Sequence, residues 1–261
     1  MATAFDLDEQ AQPATTGTQS FTGSLGSVNG EAGIFMTTRG TTLGTIASDA
    51  ELSLGLMVGA STDAVYNNTS NDADTTPDTR CVQSSVRAAG HWAPGSLTNT
   101  DSGAANAVVT NGLQLNWDTV SGTQYRTVAG LFAGTGFDSA YQLVDEGTTT
   151  TDGTFSVTGL SFQPQAVILF FAGEANNNNQ MKPGIGVAVD NGAGTDQYCA
   201  GCRMTEDATT VCEGATFTNR IMTDINTTNA NPQWEVTSWN SDGVTFTQRA
   251  AVGASRTALA L

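Results

Sequence analysis

Positive charge is nearly missing from this chain. Nine Lys and Arg stand against 25 Asp and Glu, for a net charge of −16, and Lys182 is the only lysine. Nucleic-acid backbones are held by clustered Lys and Arg, so no nucleic-acid partner is expected, and anionic membrane surfaces are disfavoured for the same reason. Charge of either sign is scarce, at 13% of residues against roughly a quarter in soluble domains. Long apolar runs are absent as well: none approaches the length of roughly 18 residues that a membrane-spanning helix needs. The segment Met1 to Glu9 lacks a basic n-region and an apolar h-region, so the expectation is a product made in the cytoplasm without a signal peptide. With one histidine, His91, and four cysteines, little material exists for a catalytic triad or a metal centre.

What the chain has instead is glycine, 29 of 261 residues where roughly 7% is usual, together with abundant Thr, Ser and Asn. These residues disfavour helix and suit short strands joined by many turns. Alternation of apolar and polar residues, as in Phe155-x-Val157 and Val244-x-Phe246, is the period of a half-buried strand. Asn111-Gly112 and Asp242-Gly243 are tight-turn dipeptides flanked by that alternation. Val167 to Phe171 is a continuous apolar run, the pattern of a strand covered on both faces.

Compared with itself, the chain repeats at a near-constant spacing of about 130 residues. Gly153-Thr-Phe155-Ser-Val157 echoes Gly17-Thr-Gln-Ser-Phe21, and Ala166-Val-Ile168 answers Ala32-Gly-Ile34. Ile185-Gly186-Val187 matches Leu54-Gly55-Leu56, and Gly243-Val244 matches Gly112-Leu113. Tyr198 pairs with Tyr66, Cys212 with Cys81, and Arg256 to Leu261 with Arg126 to Leu131. Kept order is the signal, since single matches in so Thr- and Gly-rich a chain carry nothing. The expected fold is therefore all-β: two tandem, internally duplicated antiparallel β-sandwich units of a jelly-roll-like kind. The units span 17–132 and 153–261, with an N-terminal arm at 1–16 and a linker at 133–152. Both of the latter carry too little apolar surface to fold alone, and deleting the arm is expected to leave the sandwiches folded while weakening assembly.

The run Phe155-Ser-Val157-Thr-Gly159-Leu160-Ser-Phe162-Gln-Pro164-Gln-Ala166-Val167-Ile168 resembles an opening found in uncharacterised virion and tail-associated proteins of tailed viruses. There a strand, a Gly-Leu turn and a Phe-x-Pro corner lead into an apolar strand. The first unit has Asn29-Gly30-Glu31 where the corner proline would stand, as a diverged copy would. The resemblance implies a virion structural protein, a capsid decoration or tail-baseplate component, acting through copies of itself and other virion proteins. A trimer would present six similar units to a sixfold site. The alternative is a carbohydrate- or receptor-binding module with a glycan partner.

Several residues invite a chemical reading. Cys199-Ala-Gly-Cys202, with Cys212 and Cys81, reads as inert thiols, a local disulfide, a metal site or a redox pair. Asp72-Ala-Asp74-Thr-Thr-Pro77-Asp78 places three carboxylates in one loop, but Pro77 stands where a calcium loop needs Gly, and the second unit offers only Glu206-Asp207. His91 has no matching nucleophile and acid, so it is expected to be an ordinary sandwich residue. Trp92, Trp117, Trp234 and Trp239, with Tyr125 and Tyr141, suit a sugar-stacking face or a packed core. Asn67, Asn68 and Asn226 fall in glycosylation sequons. No residue is marked as catalytic, cofactor-binding or metal-binding, and no enzymatic activity is expected.

Overall fold

The computed structural model describes residues 4–26, 31–42, 49–60, 62–70, 79–93, 96–133, 142–145, 152–171, 180–205, 212–225, 230–250 and 257–260. Among them there is no helix, and the fold is all-β and β-sandwich-like. Among the described residues no helix is long and apolar enough to cross a membrane.

The first half contains β1 (Ala4–Ala11), β2 (Gly17–Thr22), β3 (Ala32–Thr37), β4 (Ala50–Val58) and β5 (Thr62–Ser70). It continues with β6 (Thr79–Ser84), β7 (Ala89–Trp92), β8 (Asn99–Val109), β9 (Gly112–Thr119) and β10 (Arg126–Ala133). One sheet has the order β1-β10-β3-β4-β5-β6, the other β2-β9-β8-β7. The second half begins with β11 (Gln142–Asp145), β12 (Thr154–Val157), β13 (Ala166–Phe171), β14 (Gln180–Met181) and β15 (Gly184–Asp190). There follow β16 (Thr195–Thr205), β17 (Cys212–Thr218), β18 (Met222–Ile225), β19 (Ala230–Asn240), β20 (Gly243–Ala250) and β21 (Thr257–Ala260). Its sheets are ordered β11-β21-β13-β15-β16, with β14 and β17 both on β16, and β12-β20-β19-β18. Apart from β14, the strand order of the second half is that of the first.

Each half closes its two sheets over one core. In the first, Phe21, Leu113, Leu115 and Trp117 of the smaller sheet meet Phe35, Met57, Ala129 and Leu131 of the larger. In the second, Phe155, Val157, Trp234 and Phe246 meet Val167, Leu169, Phe171 and Cys199. The alternation that predicted strands therefore has a physical cause. In β9, Leu113, Leu115 and Trp117 are fully buried while Gln114 and Asn116 between them stay partly exposed. Burial of each such side chain contributes about 1.5–3 kcal/mol.

Correspondence reaches below strand order. The ladder of β8 on β9 slips between Ser102 and Gly103 and again between Ala105 and Ala107. That of β19 on β20 slips between Gln233 and Trp234 and between Val236 and Ser238, at matching places. A Cβ on Gly112 would lie 1.8 Å from the Phe21 carbonyl oxygen, and one on Gly243 1.9 Å from that of Val157. Both turn dipeptides thus end in glycine because a neighbouring backbone occupies the space. Where Trp117 lies opposite Gly103, the matching pair is Gln248 opposite Trp234, so the core indole comes from the adjacent strand.

Five expectations change. The stretch expected as an arm at 1–16 holds a paired strand, because β1 pairs along its whole length with β10; residues 1–3 lie outside the described residues. Residues 133–152 are not purely a linker, because β11 pairs with β21; 134–141 and 146–151 lie outside the described residues. The connectivity is not that of a jelly roll. β3 to β6 form a meander within one sheet and β7 to β9 a meander within the other, whereas a jelly roll alternates between sheets. With Gly55 matched to Gly186, the ladders align Val65 with Cys199, so Tyr66 corresponds to Ala200 and not to Tyr198. By the same route Cys81 corresponds to Gly214 and Arg126 to Thr257, because hairpin loops of unequal length shift the spacing. The Gly153-to-Val157, Ala166-to-Ile168 and Gly243 matches keep their register.

Candidate functional site

The sequence motif at 155–168 is the crossing from one sheet to the other. β12 ends at Val157, Gly159 turns with φ +86°, and the Leu160 N–H donates to the Asp242 carbonyl at 2.9 Å. Gln163 donates to the Trp239 carbonyl before β13 begins at Ala166. Val167, Leu169, Phe170 and Phe171 are all buried, as a strand covered on both faces requires.

His91 is more than a packing residue. It is fully buried on β7, and its Nδ1 lies 2.9 Å from Glu51 Oε2 on β4. The Glu51 carboxylate also accepts from Asn67 Nδ2 and, at 3.0 Å, from the Trp92 backbone N–H, with the Arg39 Nε 3.5 Å away. Arg39 in turn donates to the Trp92 carbonyl and, at 3.1 Å, to the Tyr125 hydroxyl. The Tyr125 ring packs on His91 with centroids 4.4 Å apart. Burying an anion is costly unless it is paired and hydrogen-bonded, and here Glu51 is both.

That cluster borders a buried polar row. Thr127, Thr37, Ser53 and Asn67 sit side by side across β10, β3, β4 and β5, all pointing into the sandwich. Ser53 Oγ, Asn67 Oδ1, Thr127 Oγ1 and His91 Nε2 have no hydrogen-bond partner among the described residues. The corresponding row of the second half is Ala258, Phe171, Gly184 and Gly201. There a Cβ on Gly184 would lie 2.0 Å from the Phe171 ring, so one phenyl group fills what polar side chains occupy in the first half. The second half has a buried ion pair at the matching positions, with the carboxylate on the other member. Lys182 stands where Glu51 does, Asp224 where His91 does, and Lys182 Nζ lies 3.0 Å from Asp224 Oδ1. Sequence reading missed both pairs, whose members lie about 40 residues apart. One signal was available: Glu51 and Lys182 are spaced like Gly55 and Gly186, in strands with few other charges.

The other candidates separate. Side chains three apart on a strand point to opposite faces, so Cys199 joins the core while Cys202 faces outward, and the two cannot bridge or share a metal. Burial pushes the Cys199 thiol up to about 12. Cys212 lies opposite Met204 on the ladder, and Cys81 is buried. No group of three metal-ligating side chains occurs among the described residues. The acidic loop 72–78, Glu206-Asp207, Asn226 and Tyr141 lie outside the described residues. Trp92, Trp117 and Trp234 are buried and Trp239 packs against the core, so none offers a stacking face. Asn67 is buried beneath the sheet, out of reach of a glycosylating enzyme.

Exposed apolar surface is concentrated on the outer side of the larger sheets. In the first half Phe5 and Leu7 project from β1, 56% and 58% exposed, and Met36 projects from β3 on the far side of β10. In the second, Ile185, Val187 and Val189 of β15 lie next to Tyr198 of β16, which is 55% exposed. Ile185, Val187, Tyr198, Ala200, Thr216 and Thr218 line an open, shallow groove whose wall is almost wholly apolar. No protein-family model matches the chain, and no curated protein matches it.

Proposed function

We propose that this chain is a structural protein of a tailed-virus particle, a capsid decoration or tail-baseplate component that works through protein–protein contacts. The observation that carries the reading is the outward-facing apolar surface of Phe5, Leu7, Ile185, Val187, Val189 and Tyr198 on an otherwise acidic, polar molecule. Grouped exposed apolar side chains of this kind mark contact sites. The viral setting comes from the motif at 155–168, which here forms the sheet-to-sheet corner. In this reading the two halves descend from one sandwich copied and fused head to tail. A shared strand order apart from β14, matching bulges and matching close-approach glycines support that origin. The reading gives the chain no catalytic role.

Gradient-purified tailed particles from the source of the gene, digested for mass spectrometry, provide the test. Peptides of this chain at stoichiometric abundance in the particle band are expected. Their absence there, with binding on a glycan array, would shift the reading to the carbohydrate-binding alternative.

A further inference from the structure

The one lysine of the chain is buried inside the second half, beside a buried carboxylate. Lys182 is 4% exposed and Asp224 1%. Every other Lys or Arg position in the sequence is an arginine. A guanidinium suits a buried ion pair better than an ammonium does, being less strongly hydrated and able to grip both carboxylate oxygens. What lysine alone offers is a primary amine, a nucleophile once it gives up a proton in a desolvated site. Lys182 Nζ lies 3.0 Å from Asp224 Oδ1 and 3.2 Å from Oδ2, so it faces the carboxyl carbon from near the midline of the group. Groups fixed at such a separation are placed for reaction without further search. Asp224 sits where the β18–β19 ladder shifts register, and irregularities of that kind re-aim a side chain.

We propose that Lys182 and Asp224 condense in the folded protein to an isopeptide bond, with loss of one water. A proton passes from Nζ to the carboxylate, leaving an amine beside a carboxylic acid. Without bulk water to solvate the charges, that neutral pair is not disfavoured as it is at a surface. Nζ then attacks Cγ to give a tetrahedral centre. The new N–C bond stays, one C–O bond breaks, and the hydroxyl leaves as water with a proton from the nitrogen. Nothing is oxidised or reduced, and no co-reactant is needed. Between the ladder pairs Met181–Met204 and Gly184–Gly201, Lys182 stands opposite Arg203, which is also buried. Arg203 Nη1 faces Glu213 at 3.5 Å, while its Nε has no hydrogen-bond partner among the described residues. It supplies a fixed positive charge for the oxyanion of the tetrahedral centre. Met222 and Ile225, on either side of Thr223 and Asp224, are buried, which keeps out the water that would reverse the step. Asp224 belongs to the smaller sheet, and Lys182 lies between β14 and β15 of the larger, so the bond staples sheet to sheet. Joining residues 42 apart restricts the unfolded chain as a disulfide does, and thiols do not reduce the link. At the matching place the first half has Glu51 and His91, with no amine to acylate, so it keeps its hydrogen bond. The inference concerns the folded chain alone and does not depend on the viral reading.

Intact-mass measurement on the purified full chain, folded and then denatured, tests it. The wild type is expected one water lighter than its sequence, and K182R, which keeps the charge, at its full sequence mass. Trypsin should release the peptides 127–203 and 221–249 joined to each other, with fragmentation placing the link at Lys182 and Asp224. An amine-reactive reagent added in urea should leave Lys182 unlabelled. A wild type that keeps its full mass after prolonged incubation overturns the proposal, as does complete labelling of Lys182. A water missing from K182R as well also overturns it, placing the loss elsewhere, as in a succinimide at Asp242–Gly243. Circular dichroism checks the fold of K182R. Should that variant misfold, the joined peptide of the wild type decides alone: its presence supports the bond and its absence sinks it.

Discussion

At the scale of single residues, the first half lines its interior with a polar row where the second uses a phenyl ring, and each half buries a charged group. Removing one partner of a buried pair strands the other, which typically costs about 3–5 kcal/mol. Glu51→Ala leaves His91, Asn67 and the Trp92 N–H without their shared acceptor. Urea unfolding of that variant should show a loss in this range; a loss below about 1 kcal/mol would mean that Glu51 supplies no net stability. The polar row allows a sharper test. Thr37→Phe alone overpacks against Ser53 and Asn67, at about 1–3 kcal/mol. Adding S53G and N67G recreates the arrangement of Phe171 over Gly184 and Gly201, so the triple variant should be more stable than the single one. If the two glycines only worsen the loss, the rows are not equivalent. Cys199 makes a third case. With its thiol pushed up to about 12 by burial, it should resist alkylation at pH 8 and react only once urea unfolds the chain.

At the scale of elements, legibility depended on which face of a strand carried the apolar residues. β9, β12 and β20 could be read from sequence because their apolar positions alternate and point inward, as in Leu113, Leu115 and Trp117. The turns at Gly112 and Gly243 could be read because the backbone approach there admits no side chain. β1 has the same period with the opposite sense: Phe5 and Leu7 face out, and Asp6 and Asp8 turn toward the neighbouring β2. Asp8 accepts the Thr22 N–H and Asp6 the Ser24 N–H, so these carboxylates satisfy main-chain donors as a strand would. The Glu51–His91 pair stayed hidden because pairing across sheets depends on register, which loop lengths set and composition does not reveal. Of the readings open for Cys199 and Cys202, a shared site falls away because a spacing of three brings side chains together on a helix and parts them on a strand. Asp6 carries a prediction at this scale. Its carboxyl is held below the ordinary value by the Ser24 N–H, then by that of Leu7. A depressed folded value means that the stabilisation is present above the unfolded value of 3.8 and is lost as pH falls through the lower folded one. Hydrogen exchange of the Ser24 amide should therefore be faster in D6N than in the wild type at neutral pH. Equal rates would show that the carboxylate is not what holds the amide.

For the whole molecule, two forces act in opposition when copies meet. Each chain carries −16, so approaching copies repel, while the exposed Phe5–Leu7 and Val187–Tyr198 surfaces are apolar. Repulsion between exposed charges is screened within roughly 10 Å at 0.1 M salt, whereas burial of apolar surface is not weakened by screening. Association through the Phe5–Leu7 and Val187–Tyr198 faces should therefore strengthen as sodium chloride rises from low concentration, with the larger species appearing at lower protein concentration. An interface built from ion pairs would behave in the opposite way, since screening removes its attraction. The surface offers little for such an interface: of the nine basic side chains, Lys182 and Arg203 are buried, and Arg39, Arg87, Arg126, Arg220 and Arg249 already face carboxylates of their own chain. Sedimentation at low and high salt separates the two cases by sign alone. Larger species that dissolve as salt is added would assign the contact to charge, and the apolar faces would then need another occupant.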